Sequence, residues 1–306
     1  MRLIRFFSDG EVHLGVRQQD SVVDATSAAR HYWSREVASP TAFMAADGLE
    51  QLAALCRRAQ EDQRFLLPDG GLRLDAPIRD VPKLLALASN YRAHAIEAGL
   101  AAIPESGLLT PQVFLKPAST AINAPGAAVA IRPNNVFVDW EIELAVVIGR
   151  GGRDIPAAEA MSHVFGYSVI NDISERKFNA RLENRKLREA DPFFDWLLGK
   201  WFDGHAPLGP EIVTCDEIPD PHQLGIRLWV NDKLMQNSNT REMVFQIPES
   251  IRYISSVMTL EPGDVIAMGT PDGVGMARGI ALQPGDRMRG EIDRIGVLEN
   301  YVAGVE

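Results

Sequence analysis

The sequence predicts an α+β fold dominated by β-structure, and three observations carry that prediction. From Lys83 onward, short apolar runs alternate with Pro/Gly turns, among them Pro133-Asn134-Asn135, Gly149-Arg150-Gly151-Gly152, Pro207-Leu208-Gly209-Pro210, Pro262-Gly263-Asp264 and Pro284-Gly285-Asp286. Segments with helical periodicity are few. No strand–helix series alternates along the chain and no Gly-x-Gly-x-x-Gly follows a strand, which counts against a dinucleotide-binding parallel sheet.

Taken in order, residues 1–77 are expected to form a small N-terminal α/β domain and residues 78–306 a larger catalytic one. Residues 3–7 and 12–16 flank Ser8-Asp9-Gly10, a hairpin signature. A short strand over 21–24 leads into helix-prone residues 26–33, and 41–60 reads as one or two amphipathic helices around Leu49, Leu52, Leu55 and Cys56. Residues 72–77 look like a strand running into a boundary. In the larger unit, helices are expected over 156–161, roughly 175–188, and 247–258.

Composition narrows the function. A length of 306 is ample for a sizeable core, and 46% apolar with 24% charged residues is ordinary for a soluble globular protein. Lys+Arg 31 against Asp+Glu 41 gives a net charge of −10, which argues against a nucleic-acid or anionic-membrane partner. Cys56 and Cys215 stand far apart without a Cys/His cluster, so no disulfide framework or structural zinc is expected, and a reducing, cytoplasmic setting fits. The N-terminus turns polar at once and no stretch reaches membrane-spanning length.

The run from Val138 to Gly149 contains Glu141-Ile142-Glu143 and reads as one strand entering a core. Side chains two apart on a strand share a face, so both carboxylates project together, with Asp139 at the same parity. Like charges that close repel unless a cation lies between them. Asp172, ending the apolar run 163–171, is a third candidate. Three carboxylates without a nearby cysteine describe an oxygen-lined site for Mg²⁺, Mn²⁺ or Ca²⁺. The competing reading is the solvated face of an edge strand, but the unbroken apolar continuation over 144–148 argues for burial on both faces.

Four further features bear on chemistry. If residues 92–98 are helical, His94 and Glu97 form an i, i+3 pair, the arrangement of a general base oriented by a carboxylate. Gly99 then reads as a helix stop and 101–110 as a mobile loop, together resembling a closing lid. Lys116 sits in an apolar strand before Pro117, either snorkelling from an edge or facing an anion, and Lys200 lies in the aromatic setting Gly199-Lys200-Trp201-Phe202. Gly269-Thr270-Pro271-Asp272-Gly273-Val274-Gly275 follows a strand, so it is either a plain turn or a loop whose N–H groups and Thr270 hydroxyl face a carboxylate.

In this order, Asn90-Tyr91…His94…Glu97, Phe114-x-Lys116-Pro117, Asp139-x-Glu141-x-Glu143-Leu144, Asn171-Asp172-x-Ser174-x-Arg176, Gly199-Lys200 and Gly269-Thr270-Pro271-x-Gly273-Val274-Gly275 resemble the fumarylacetoacetate hydrolase family over about residues 80–306. The resemblance implies a mixed β-sandwich roll, a homodimer, and a metal held by Glu141, Glu143 and Asp172. It implies His94 and Glu97 as the water-activating pair on a lid and Lys200 as electrostatic stabiliser, with Arg92, Lys116, Asn171 and Thr270 touching or supporting the substrate. The resemblance implies a small 2-oxo or β-dicarbonyl acid as substrate, and hydrolytic C–C cleavage of an acylpyruvate is the first expectation. Decarboxylation or isomerisation of an oxaloacetate-like acid or 2-hydroxy-dienedioate, or lyase or dehydratase action on a sugar-derived 2-oxo acid, are the alternatives. A catalytically silent metal-binding protein is the rival from another class, and intact His94, Glu97 and Lys200 argue against it.

Two departures stand out. Lys177 follows Arg176 where the family often has Asp, and a longer stretch over 178–198 precedes Gly199-Lys200-Trp201. That stretch carries Arg181, Arg185, Lys186 and Arg188, then Asp191-Pro192-Phe193-Phe194-Asp195-Trp196. It is read as a helix with an aromatic plug at a dimer interface, or as a segment that narrows the pocket mouth.

Overall fold

A computed structural model describes residues 1–99, 109–180, 182 and 184–305. The expected loop over 101–110 lies outside the described residues except for its last two, and so does Arg181. The hairpin forms as the sequence implies: strands Arg2–Ser8 and Glu11–Arg17 pair antiparallel, and Asp9 and Gly10 take the positive φ angles of a tight hairpin turn. Strand Ser21–Asp24 follows, and Asp24 caps helix Ala25–Trp33 by accepting from Ser27 N at 3.0 Å. The stretch read as one or two helices contains a short 3₁₀ turn, Pro40–Phe43, and the helix Gly48–Glu61.

These N-terminal strands enter the main sheet. Its order runs from Leu66–Pro68 through Ser21–Asp24, Glu11–Arg17 and Arg2–Ser8 to Ala206–Thr214, then Val164–Asn171, Ile142–Ile148, Val265–Ala267, Leu84–Ala88 and the edge strand Gln112–Lys116. The junction is the pairing of Arg2 with Val213 and Leu3 with Ile212. A second sheet runs Lys233–Asn239, Gly225–Val230, Arg287–Ile292, Gly296–Gly304, Ala128–Ile131.

Strand Ile142–Ile148 is buried on both faces. Ile142, Leu144, Val146 and Ile148 pack with Ile226, Leu228 and Ile292 of the second sheet, while Ala145 and Val147 join a core with Leu3, Leu14 and Leu52. Each fully buried aliphatic side chain stabilises the fold by roughly 1.5–3 kcal/mol. A strand fixed on two sides is a firm support for a site at its end.

Two expectations are corrected. The run from Val138 to Gly149 is not one strand: Val138–Asp139 pairs with Ser174–Glu175, and Ile142–Ile148 pairs with Val164–Asn171 and Val265–Ala267. The Asp139 carboxylate breaks the ladder by accepting from Trp140 N at 2.8 Å. No helix forms over the described residues of 175–188. The Glu175 carboxylate accepts instead from Val136 N, Phe137 N and Lys177 N, and Asn179 and Asn184 adopt left-handed φ angles that end helical growth. The helix comes later, over Asp191–Leu198, with Pro192 in its first turn. Helices Ala157–Ala160 and Ile247–Val257 stand where the sequence put them, the second opened by a Gln246/Glu249 capping box. Among the described residues, no helix is long and apolar enough to cross a membrane.

Candidate active site

Strand register assembles the carboxylates. Ile142 lies opposite Asn171, and Asp172 N donates to Glu141 O at 2.8 Å, which brings Asp172 level with Glu141. Glu141, Glu143 and Asp172 are buried, and each offers one oxygen within 4.8 Å of the others. Three cationic side chains converge on them. Lys200 Nζ donates to Glu141 Oε2 at 2.5 Å and Asp172 Oδ2 at 2.6 Å; Lys116 Nζ donates to Asp172 Oδ1 at 2.5 Å and Ile173 O at 3.0 Å. Arg176 donates to Glu141 and, at 2.9 Å, to Asp139.

These partners are unevenly shared. Burial opposes the charge on Glu141, but Arg176 and Lys200 hold its carboxyl far below the usual range. Glu143 accepts from Gly269 N at 2.7 Å; burial, with Asp172 and Glu141 beside it, pushes its carboxyl well up. Burial also pulls the Lys116 ammonium down, whereas Asp172 and Glu141 outweigh burial at Lys200. A third buried carboxyl that resists ionisation beside two others is where a divalent cation would relieve repulsion. The all-oxygen donor set suits a hard ion.

Lys200 reaches the cluster because Gly199 lets the chain pass close to Glu175: a Cβ on residue 199 would meet Glu175 O at 2.2 Å. Its ammonium lies 5.2 Å from the Phe114 ring centre and 5.9 Å from that of Trp196.

The His94–Glu97 pair forms on helix Arg92–Glu97, with His94 Nδ1 and Glu97 Oε1 3.0 Å apart. Glu97 accepts from Gly273 N at 2.9 and 3.0 Å, and Gly273 holds φ +96° to turn that N–H inward. Burial works against ionisation of Glu97, yet His94 and the Gly273 N–H keep its carboxyl below the usual range. With Nδ1 committed to Glu97, proton exchange at the ring falls to Nε2. The helix is pinned from behind: Asn90 donates to Met268 O at 2.7 Å and accepts from Phe245 N at 2.8 Å.

A pocket of about 50 Å³ joins these groups, lined by Leu87, Ala88, Ser89, His94, Phe114, Glu141, Glu143, Arg176, Trp196, Lys200 and Thr270. The Thr270 hydroxyl donates to Ile142 O at 2.8 Å and accepts from Gln236 Nε2 at 2.9 Å, so it braces the strand that carries Glu143 as well as facing the pocket. Lys116 stands behind the pocket lining on Asp172. Glu97 and Asp172 likewise stand behind the lining, bonded to His94 and Lys200, and two further candidates do not join it. Asn171 accepts from Glu141 N at 2.9 Å and donates toward Met288 Sδ, and Arg92 is exposed on the first helical turn. Sequence reasoning assigned no role to Arg176 or Gln236, and gave Trp196 none beyond that of its whole stretch. Arg176 stood in a quoted motif and Trp196 in the departing stretch, whereas nothing local marked Gln236.

Fold and site together define a two-sheet roll with a buried, oxygen-lined cluster suited to a divalent cation. The profile of the fumarylacetoacetate (FAA) hydrolase C-terminal family matches residues 83–303, and the chain belongs to that family. It is similar to oxaloacetate tautomerase FAHD2A, mitochondrial, of Homo sapiens, at 38% identity over 83% of this chain and 76% of that one. Among solved structures it is similar to maleylpyruvate hydrolase from Sphingobium sp. SYK-6 in complex with manganese (II) ion and pyruvate, at 31% identity, full coverage of both chains and a TM-score of 0.76. It is also similar to 2-hydroxyhepta-2,4-diene-1,7-dioate isomerase from Mycobacterium marinum, at 29% identity, covering 99% of this chain and 98% of that one, with a TM-score of 0.69. These relatives are enzymes whose reactions differ around related oxo and enol acids.

Proposed function

We propose that this protein is a Mg²⁺- or Mn²⁺-dependent enzyme that moves a proton between the keto and enol forms of a short 2-oxo acid of the oxaloacetate class. The observation that carries the reading is His94, held by Glu97, on the wall of a pocket of about 50 Å³ that Glu141 and Glu143 also line. Glu141, Glu143 and Asp172 would hold the ion, which supplies Lewis-acid polarisation of the oxo group when bound. His94 Nε2 takes the proton from the carbon beside the oxo group and delivers it to the oxo oxygen to give the enol, and the reverse step restores the keto form, while Glu97 fixes the ring and stabilises the imidazolium. The Arg176 guanidinium and the Lys200 ammonium sit beside Glu141 and offset negative charge that develops on the enolate. Thr270 closes the side of the pocket next to the ligand strand.

Hydrolytic C–C cleavage of an acylpyruvate, the sequence's first expectation, is the second reading. The same His94–Glu97 pair suits activation of water, and a maleylpyruvate hydrolase is among the structural relatives. Decarboxylation fits the same electron sink without that water. The reading includes a homodimer, carried over from the family resemblance, and a reducing, cytoplasmic setting, which the free Cys56 and Cys215 fit. NMR product analysis on oxaloacetate and an acylpyruvate, with Mn²⁺ or EDTA, tests it. Metal-dependent proton exchange in oxaloacetate without pyruvate release from the acylpyruvate supports the first reading; release of pyruvate and a carboxylic acid replaces it with the second.

A further inference from the structure

We propose that Trp196, seated on Phe114, is the specificity-determining wall that limits this site to 2-oxo acids of about pyruvate or oxaloacetate size. The proposal rests on the 2-oxo-acid reading for the ligand and on independent geometry for the wall. Pockets for drug-sized ligands run to roughly 300–1,000 Å³. This one measures about 50 Å³, far below that range. Trp196 and Phe114 supply its bulkiest lining, their rings 5.0 Å apart in edge-to-face contact at 70°.

The indole is held in place. Asp195, its neighbour on helix Asp191–Leu198, is gripped by Arg185 and by Asn179 at 3.0 Å, and Arg188 binds Asp191 at 2.9 Å. Trp196 packs against the core that holds Phe114 yet is itself only part-buried, and Phe193 and Phe194 on the same helix are mostly exposed, so its ring lies between the pocket and the outer surface. Truncating it opens the pocket outward. Trp196 comes from the stretch 178–198, whose sequence allowed either an interface plug or a narrowed mouth. Its place on the pocket wall favours the second.

The test uses the full-length, Mn²⁺-loaded protein and calorimetric binding of oxalate and N-phenyloxamate, two unreactive 2-oxo-acid mimics that differ in bulk at one end. The wild type binds oxalate at least about tenfold more tightly, a ratio in the range set by a few unaccommodated carbons. Trp196→Ala cuts that ratio about tenfold while oxalate affinity changes by less than about twofold. Trp196→Phe gives an intermediate ratio and serves if the alanine variant does not fold. Phe194→Ala, exposed on the same helix, leaves the ratio unchanged. Equal binding of both mimics by the wild type, a ratio unmoved in both Trp196 variants, or an equal shift in Phe194→Ala overturns the wall while the 2-oxo-acid reading stands. A wild type that binds neither mimic overturns both.

Discussion

Among the described residues, Glu143 differs from its neighbours in having no cationic side chain as a hydrogen-bond partner: it accepts from the Gly269 N–H, while Glu141 and Asp172 are met by Lys200, Arg176 and Lys116. It is therefore the carboxyl that most needs an ion. Glu143→Gln keeps the shape and removes the charge, so the metal-free variant should melt at or above the wild-type temperature. Mn²⁺ at about 100 times its Kd should stabilise the wild type by about 2.7 kcal/mol and leave the variant nearly unshifted. Thermal melts with Mn²⁺ and with EDTA read this directly, and an undiminished shift in the variant removes Glu143 from the ligand set. Glu97→Gln retains an oxygen to accept from Gly273 N but cannot stabilise an imidazolium. Turnover should fall about a hundredfold with the metal-induced shift unchanged; steady-state kinetics beside the same melts decide it. At this scale, the carboxylates were legible because charge inside apolar runs needs a reason. Gln236 was not, because its partners, Ile142 N, Thr270 Oγ1 and Pro271 O, come together only when the sheets pack.

Elements place these residues, and two of them carry most of the positioning. Strand Ile142–Ile148 is immobilised by apolar contacts on both faces, and the end of helix Asp191–Leu198 delivers Lys200 through Gly199. Gly199→Ala should force that helix end off Glu175 O, costing about 1–3 kcal/mol and lowering turnover more than Tm alone explains. Chemical denaturation and kcat on the same sample test it; a variant with wild-type kcat shows that Lys200 does not depend on this close approach. The strand was legible from its unbroken apolar run, and so were the hairpin and the capped helix Ile247–Val257. The helix expected over 175–188 failed for a reason periodicity does not report. Glu175 is consumed by three backbone N–H groups from its own and a neighbouring segment, and two asparagines take left-handed φ.

At the scale of the molecule, His205 ties the two sheets together: it precedes strand Ala206–Thr214 of the large sheet, and its Nε2 lies 3.1 Å from Ala130 O in the second. Burial pulls its protonation down to about 4 from an ordinary 6.5. Below 6.5 the unfolded chain takes up a proton that the native state refuses, so unfolding gains as pH falls and stability rises with pH across this window. The effect is complete below about 4 and amounts to roughly 3 kcal/mol. His205→Gln should flatten the dependence of Tm on pH between 6.5 and 4; an unchanged slope assigns acid sensitivity elsewhere. The two-sheet roll and its acidic cluster were legible through ordered motifs, while the joining of the N-terminal strands to the large sheet depends on a long-range pairing, Arg2 with Val213, that no local signal announces.

The most direct test of the central claim is the keto–enol exchange rate of oxaloacetate, followed by NMR with the purified protein and Mn²⁺, against Mn²⁺ alone and against EDTA. Exchange well above the metal-only rate, lost with EDTA and in Glu143→Gln, is the predicted result. A rate equal to that of the metal alone, or one that survives EDTA, contradicts a metal-dependent enzyme of short 2-oxo acids at this site.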